Sequence, residues 1–315
     1  MDLKTLYILA PCYNEEEVLP LTSKIFLDKL KDLIKTGRIS SDSRVAFVDD
    51  GSKDKTWSII ESLHEFNPMF VGIKLSRNRG HQNALLGGMS AIVNDCDMIV
   101  TIDADAQDDI NAIDKMIDEF DNGSEIVYGV RASRDTDSAF KRNTAQGFYK
   151  FMSLMGVETV YNHADFRLMS SRAVNALLEF KEVNLFLRGI VPLIGFKSST
   201  VTYDRAPRLA GESKYPLKKM LAFAFDGITS FSIKPIRFIT SIGALTLILS
   251  IFFAIYAFVS YFIHRTVPGW TSTVLSIWFF GSLQLIAIGI VGEYIGKIYL
   301  ETKNRPRFFI EKYLK

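Results

Sequence analysis

The residues best equipped for chemistry are Asp103-Ala104-Asp105-Ala106-Gln107, which follow directly on a short apolar run, Met98–Ile102. Carboxylates at i and i+2 past the end of a strand, with an amide oxygen two residues further on, offer hard oxygen ligands to Mg2+ or Mn2+. Both ions keep positions for water and for diphosphate oxygens. A cation held by Asp103, Asp105 and Gln107 would stabilise charge building on a departing nucleotide diphosphate. A solvated acidic turn has the same triplet; the position after a buried strand favours the metal.

A second group spans Pro11-Cys12-Tyr13-Asn14-Glu15 and Asp49-Asp50-Gly51-Ser52-Lys53-Asp54. Gly51 permits a tight turn, Ser52 or Asp54 can cap the next helix, and Asp49 and Asp50 can accept hydrogen bonds from a base or ribose. Capping alone accounts for Ser52 and Asp54. It does not account for two adjacent carboxylates, whose like charges need a donor-rich partner. A third turn, Arg77-Asn78-Arg79-Gly80, sets two guanidiniums at the same rim, suited to phosphate or to bracing the acidic turns.

These clusters need a scaffold, and the pattern from Thr5 to Tyr128 supplies one. Short β-branched runs at Leu6–Ala10, Val45–Val48, Val71–Leu75, Met98–Ile102 and Ile126–Val130 alternate with helical spacing near Leu19–Ile34, Thr56–Phe66, Gln82–Val93 and Ala112–Phe120. That is a βαβ series around a mostly parallel sheet. Almost every polar cluster falls just after a strand, which points at one crevice along the strands' carboxyl ends.

The chain's 315 residues and 48% hydrophobic composition leave room for a membrane part beside this domain. Phe238–Ile263 and Thr266–Gly292 carry no Asp, Glu, Lys or Arg, and each exceeds the ~20 residues that span hydrocarbon. Lys214, Lys218, Lys219, Lys234 and Arg237 precede the first run; Lys297, Lys303, Arg305, Arg307, Lys312 and Lys315 follow the second. This distribution puts both ends in the cytoplasm and His264 and Arg265 outside. Met1 to Pro11 read as no signal peptide, and Cys12 and Cys96 as free thiols of a reducing compartment. Leu217–Ser232 shows an apolar side with Lys218 and Lys219 at its start, as in a helix lying in the headgroup plane or packing on a domain. The expected organisation is a catalytic domain over 1–215, an amphipathic helix over 216–235, a transmembrane hairpin over 236–300 and a basic cytosolic tail over 301–315. Gly281, Gly289, Gly292 and Gly296 give the second span small positions for packing on the first span or on a second copy of the chain.

The ordered motifs P-x-Y-N-E, D-D-G-S-x-D, R-N-x-G and D-A-D-x-Q resemble the inverting family 2 glycosyltransferases. Gly129-Val130-Arg131, Lys141-Arg142-Asn143, Asp165-Phe166-Arg167, Phe186-Leu187-Arg188-Gly189 and the stretch from Tyr203 to Tyr215 resemble the polyisoprenyl-phosphate branch, the bactoprenol glucosyltransferases and dolichyl-phosphate mannose synthase-like enzymes. The resemblance implies a Rossmann-like GT-A domain with metal and diphosphate ligands at Asp103, Asp105 and Gln107, and nucleotide contacts at Pro11, Tyr13, Glu15, Asp49 and Asp50. It also implies phosphate contacts at Arg131 and Arg142, with Arg205, Arg208, Ser213 and Lys214 in a mobile loop next to the membrane. Arg77, Arg208 and Lys214 join the donor-binding set. Cys12, Ala164 and Asp226 depart from the family's commoner residues, and Ala164 bears on the backbone path to Asp165.

The implied reaction is a single displacement in which a lipid phosphate attacks the anomeric carbon of a UDP-sugar, UDP-glucose by resemblance, with inversion at a membrane's cytoplasmic face. Asp105, Asp165, Arg131 and Arg142 are its expected catalytic residues. Asp165 serves as base or as orienter of an arginine, unless it is only a structural partner of Arg167. A processive synthase normally carries a Gln-x-x-Arg-Trp motif, which this sequence lacks. A membrane scaffold with a degenerate domain has no reason to keep the carboxylates of Asp103 and Asp105. Another nucleotide sugar would need only a few pocket changes, and no nucleic-acid partner is expected.

Overall fold

A computed structural model describes residues 3–131, 163–182, 186–204, thirteen positions between 234 and 255, and 269–315. Two compact units divide the chain: 1–149, 158–216 and 304–315 form one, and 150–157 with 217–303 the other.

The first unit is built on an eight-stranded sheet. Its strands are β1 (Leu6–Cys12), β2 (Arg44–Asp49), β3 (Phe70–Leu75), β4 (Met98–Thr101), β5 (Ile126–Arg131), β6 (His163–Ser170), β7 (Ser198–Tyr203) and β8 (Ile310–Leu314), in spatial order β7-β5-β6-β4-β1-β2-β3-β8. Strands β4, β1, β2 and β3 run parallel, so their carboxyl ends share one rim. β6 is antiparallel to β4 and β5, β7 is parallel to β5, and β8 is antiparallel to β3. The central runs are apolar on both faces because both faces are covered.

Helices α1 (Leu19–Lys35), α2 (Thr56–Phe66), α3 (His81–Ile92) and α4 (Ala112–Asp121) follow β1 to β4 in turn. Side chains alternate across the sheet. Leu6, Ile8, Ala10, Val45 and Phe47 join Phe26 and Leu30 of α1, Ile60 of α2 and Ile113 of α4 in one core, where Phe26, Phe47 and Phe70 stack. The alternate residues Leu9 and Val48 meet α3, which rests on the sheet at Gly88: a Cβ there would lie 2.5 Å from Val48 and 2.7 Å from Leu9. Two shorter helices, α5 (Ser171–Leu178) and α6 (Leu187–Leu193), follow β6.

The five strand runs and four helices expected from sequence stand within two residues of their observed ends. Segment 301–315, expected as a basic tail, carries β8. Its register pairs Ile73 with Tyr313, and Lys312 bonds Glu61 at 3.1 Å. Lys315 and Tyr313 both reach Asp95. Cys12 and Cys96 are free thiols, and burial pushes the Cys12 thiol well up.

In the second unit, α7 (Trp270–Lys303) runs 34 residues. Its stretch Phe279–Lys303 is the one helix among the described residues long and apolar enough to cross a membrane, with mean hydropathy 1.5 and none of it buried within the protein. Of the other expected span, Phe238–Ile263, the described residues are a helical run over 238–243 and single helical positions at 245, 248, 252 and 255, with Phe238, Leu245 and Phe252 exposed. The expected interfacial helix Leu217–Ser232 lies outside the described residues.

Candidate active site

The loops after β1 and β2 are laced together by short-range polar groups. Asn14, in the left-handed region at φ 55°, accepts the Lys53 N–H on its side-chain oxygen at 2.9 Å, while its own N–H donates to Ser52 Oγ at 2.9 Å. The Glu15 N–H donates to Thr56 Oγ1, and Asp54 accepts from both the N–H and the hydroxyl of Thr56. Ser52 is therefore a loop residue and Asp54 closes the turn into α2, whose N-cap, Lys55, makes no side-chain bond, so neither is the helix cap that its type suggested. Tyr13 is exposed and Pro11 half-buried beside this lattice.

Asp49 and Asp50 divide their work. Both oxygens of Asp50 accept backbone N–H groups, from Arg79 at 2.7 Å and Gly80 at 2.8 Å, so Asp50 draws in the turn that carries Arg77. Gly51, at φ 66°, lets that turn close: a Cβ there would stand 2.5 Å from Asn78 N and 2.6 Å from the Arg77 carbonyl carbon. Asp49 is fully buried; one oxygen accepts from Ser52 N–H, and Oδ2 has no hydrogen-bond partner. Burial raises both carboxyls above the usual range, against the hydrogen bonds that favour ionisation. Of the two, Asp49 keeps an acceptor for a ligand donor, while Asp50 is committed to the neighbouring turn. Arg77 itself is exposed at the rim.

The acidic turn follows β4. Ala106 sits at φ 50°, a strained setting for a residue with a side chain, and Asp105 Oδ1 accepts the Gln107 N–H at 3.2 Å. Gln107 is buried, as is Asp108. The Asp103 carboxyl is pushed up to about 6, chiefly by burial, with the carboxylates of Asp165, Asp108 and Asp105 adding to it and His81 opposing.

Sheet register explains why Asp165 belongs to this cluster. Thr101 of β4 pairs with Arg167 of antiparallel β6 as the last pair of that ladder, and Asp103 and Asp165 lie just beyond it on the two strands. Thr101 Oγ1 donates to the Asp165 carbonyl, closing the two strand ends. The Asp165 carboxylate accepts from Arg167 Nη2 at 2.7 Å and from Arg188 Nη2 at 3.2 Å, and its Oδ2 lies 3.6 Å from His81 Nε2. His81 also reaches Asp103 at 3.8 Å. Burial pushes the Asp165 carboxyl up, yet Arg188, His81 and Arg167 together outweigh it and hold the group well below the usual carboxylate range.

A second knot sits alongside, where Tyr203 OH donates to Asp108 at 2.7 Å and Arg131 lies 3.9 Å from the same oxygen. Arg131 and Tyr203 are register partners on β5 and β7. Of the residues singled out from sequence, the structure gathers Asp103, Asp105, Gln107, Asp165 and Arg131 on one side of the rim, and Pro11, Tyr13, Glu15, Asp49, Asp50 and Arg77 on the other. Arg142, Arg208 and Lys214 lie outside the described residues. His81, Asp108 and Arg188 were given no role from sequence. The R-N-x-G turn ran straight into His81, which was the available signal.

Among the described residues no three His, Cys, Asp or Glu side chains converge closely enough to hold an ion by themselves. The donor set is two carboxylates and an amide, which suits Mg2+ or Mn2+ that completes its shell with ligand oxygens. Asp103 is half-buried beside Asp165, Asp108 and Asp105, the kind of carboxylate crowding that a divalent cation relieves.

A protein of Bacillus subtilis (strain 168) named uncharacterized glycosyltransferase YkoT is 52% identical over 306 residues, covering 97% of this chain and 91% of its own. The bactoprenol glucosyl transferase of Shigella phage SfX is 37% identical over 308 residues, 96% of this chain and 98% of its own. Among solved structures, the mannosyltransferase PcManGT from Pyrobaculum calidifontis, in complex with GDP-Man and Mn2+, aligns over 93% of this chain and 87% of its own at 14% identity and a TM-score of 0.43. The family model for glycosyl transferase family 2 matches residues 7–178, from the first strand through the acidic turn and Asp165 to the end of α5. With more than half its length matched, and with relatives this similar across nearly all of it, the chain belongs to glycosyl transferase family 2.

Proposed function

We propose that this protein transfers one sugar, glucose from UDP-glucose, with inversion onto a polyisoprenyl phosphate such as undecaprenyl phosphate. The product is a lipid-linked sugar for modifying cell-envelope glycans. The observation that carries the reading is the meeting of Asp103 and Asp165 at His81, whose Nε2 lies 3.8 Å from the one and 3.6 Å from the other, just past the carboxyl end of β4. It is supported by relatives named bactoprenol glucosyl transferase that align over nearly the whole chain.

Asp103, Asp105 and Gln107 would hold Mg2+ or Mn2+, which when bound supplies positive charge for the leaving diphosphate. The partner-free oxygen of Asp49 suits a base or ribose donor, with Tyr13, Pro11, Glu15 and Arg77 around it. A phosphate monoester has a second pKa of about 6, so the acceptor is already anionic at neutral pH and needs positioning more than deprotonation. Asp165, held ionised by three cationic neighbours, is a weak base and acts as their orienter. Arg131, Arg142, Arg208 and Lys214 are proposed to share the phosphate charges.

The apolar α7 supports membrane association. The fuller topology, two spans with the catalytic domain and both ends in the cytoplasm of an inner membrane, rests on charge distribution in the sequence. The test is to incubate the purified full-length protein with a panel of nucleotide sugars, undecaprenyl phosphate and Mg2+ or Mn2+, and to weigh the lipid product. Addition of a single hexose from UDP-glucose is expected. Multiple additions, or no product from any donor, would refute the reading.

A further inference from the structure

The reaction proposed above needs a phosphate held beside the acidic turn, and one guanidinium there has no part yet. Arg188 stands at the start of α6, with Nε 3.4 Å from Asp165 Oδ1 and Nη2 3.2 Å from Oδ2. The same carboxylate already has a cation in Arg167, at 2.7 Å and with a side chain only 2% exposed. Arg167 has no path to solvent. Arg188 is the second, and it is 33% exposed.

Its placement is fixed from two directions. The Leu187 N–H donates to Gln82 Oε1 at 2.8 Å, tying the start of α6 to α3 directly after His81, the residue that faces both Asp103 and Asp165. Asp165 grips the Nε–Nη2 edge of the guanidinium with both oxygens. A planar fork steadied by a carboxylate loses little freedom when it takes an oxyanion, which is how arginine outperforms lysine at phosphates.

We propose that Arg188 binds a phosphate of the transfer reaction, oriented by Asp165 and by the Gln82 anchor of α6. This rests on the reading of the chain as a transferase between a nucleotide diphosphate sugar and a lipid phosphate. Either the lipid monophosphate or the donor diphosphate supplies the oxyanion.

The test uses the full-length protein in detergent, wild type against Arg188→Gln and Arg188→Lys. Binding of undecaprenyl phosphate and of UDP is titrated separately, alongside the KM for each substrate. Loss of a charge-assisted hydrogen bond predicts affinity for one of the two weakened about 10- to 100-fold in Arg188→Gln, the other changing less than about twofold. Arg188→Lys should recover part of the loss. Weakening confined to undecaprenyl phosphate assigns Arg188 to the acceptor; weakening confined to UDP assigns it to the donor. Unchanged affinities and KM values would overturn the proposal, whatever happens to kcat or the unfolding midpoint. Should Arg188→Gln not fold, Arg188→Lys and Gln82→Ala are read by the same criterion. A wild type that binds both probes but transfers no sugar would refute the reaction and leave this assignment standing.

Discussion

The two sides of the rim are held by different physics. After β1 and β2, residues 13–16 and 49–56 satisfy one another through neutral or locally capped hydrogen bonds, Asn14 with Ser52 and Lys53, Glu15 with Thr56. After β4 and at the start of β6, the bonds run between full charges far apart in sequence. There Asp103 is pushed up to about 6 by burial while Asp165 is held well down against burial by its cations. The first side is braced without a ligand, with Asp49 Oδ2 its one acceptor left over in that lattice. The second carries charge that only a ligand completes, so changes on the first side should cost stability and changes on the second should cost chemistry.

The sharpest way to break that contrast is Asp105→Ala. A metal that stabilises leaving-group charge is worth several kcal/mol, so loss of its carboxylate should reduce sugar transfer roughly a thousandfold or more, with expression and membrane insertion intact. Transfer of radiolabel from UDP-glucose into the lipid phase of washed membranes measures it. Normal turnover would remove the metal role and erase the difference between the two sides.

Asp165→Asn comes next, because it tests whether charge on that side also holds the fold. It leaves the buried Arg167 without its counter-ion, and removing one partner of a buried pair costs about 3–5 kcal/mol. The folded carboxyl lies below its unfolded value of about 3.9, so its contribution is present above that value and fades as pH falls through the folded one. Denaturant unfolding should show the variant's deficit at neutral pH shrinking below about pH 4. A deficit independent of pH would mean the loss is one of packing.

How much of this was legible follows the same divide. The β1–α4 series was readable because apolar period sets it locally, and the acidic turn was readable because two carboxylates sit directly past Met98–Thr101. The meeting of Asp165 with Asp103 was not readable as geometry, since it depends on antiparallel register between strands remote in sequence. β6 hides differently: Asp165-Phe166-Arg167-Leu168 does alternate polar and apolar, but its polar side is buried, with Arg167 at 1% exposure, where a half-solvated strand would face water. β8 read as a tail because Glu311 and Lys312 are the charges expected of an edge strand as much as of a loose terminus. His81 offered no spacing signal; its relevance comes from standing at the start of α3 across from two aspartates.

The smallest effect belongs to the laced side and sharpens the comparison from there. Gly51→Ala places a Cβ in the left-handed region, at φ 66°, against the backbone of Arg77 and Asn78 at 2.5–2.8 Å. Backbone cannot give way as a side-chain tip can, so the turn braced by Asp50 must shift. The combined strain should cost about 1–3 kcal/mol of unfolding free energy. Because the acidic turn is untouched, kcat at saturating donor should stay near wild type, while the KM for UDP-glucose rises as Arg77 and the Asp49 pocket are displaced. Unfolding and steady-state kinetics on the same preparation decide it. A fall in kcat with KM unchanged would mean the two sides of the rim are mechanically one, and the division between a braced and a ligand-completed half would have to be abandoned.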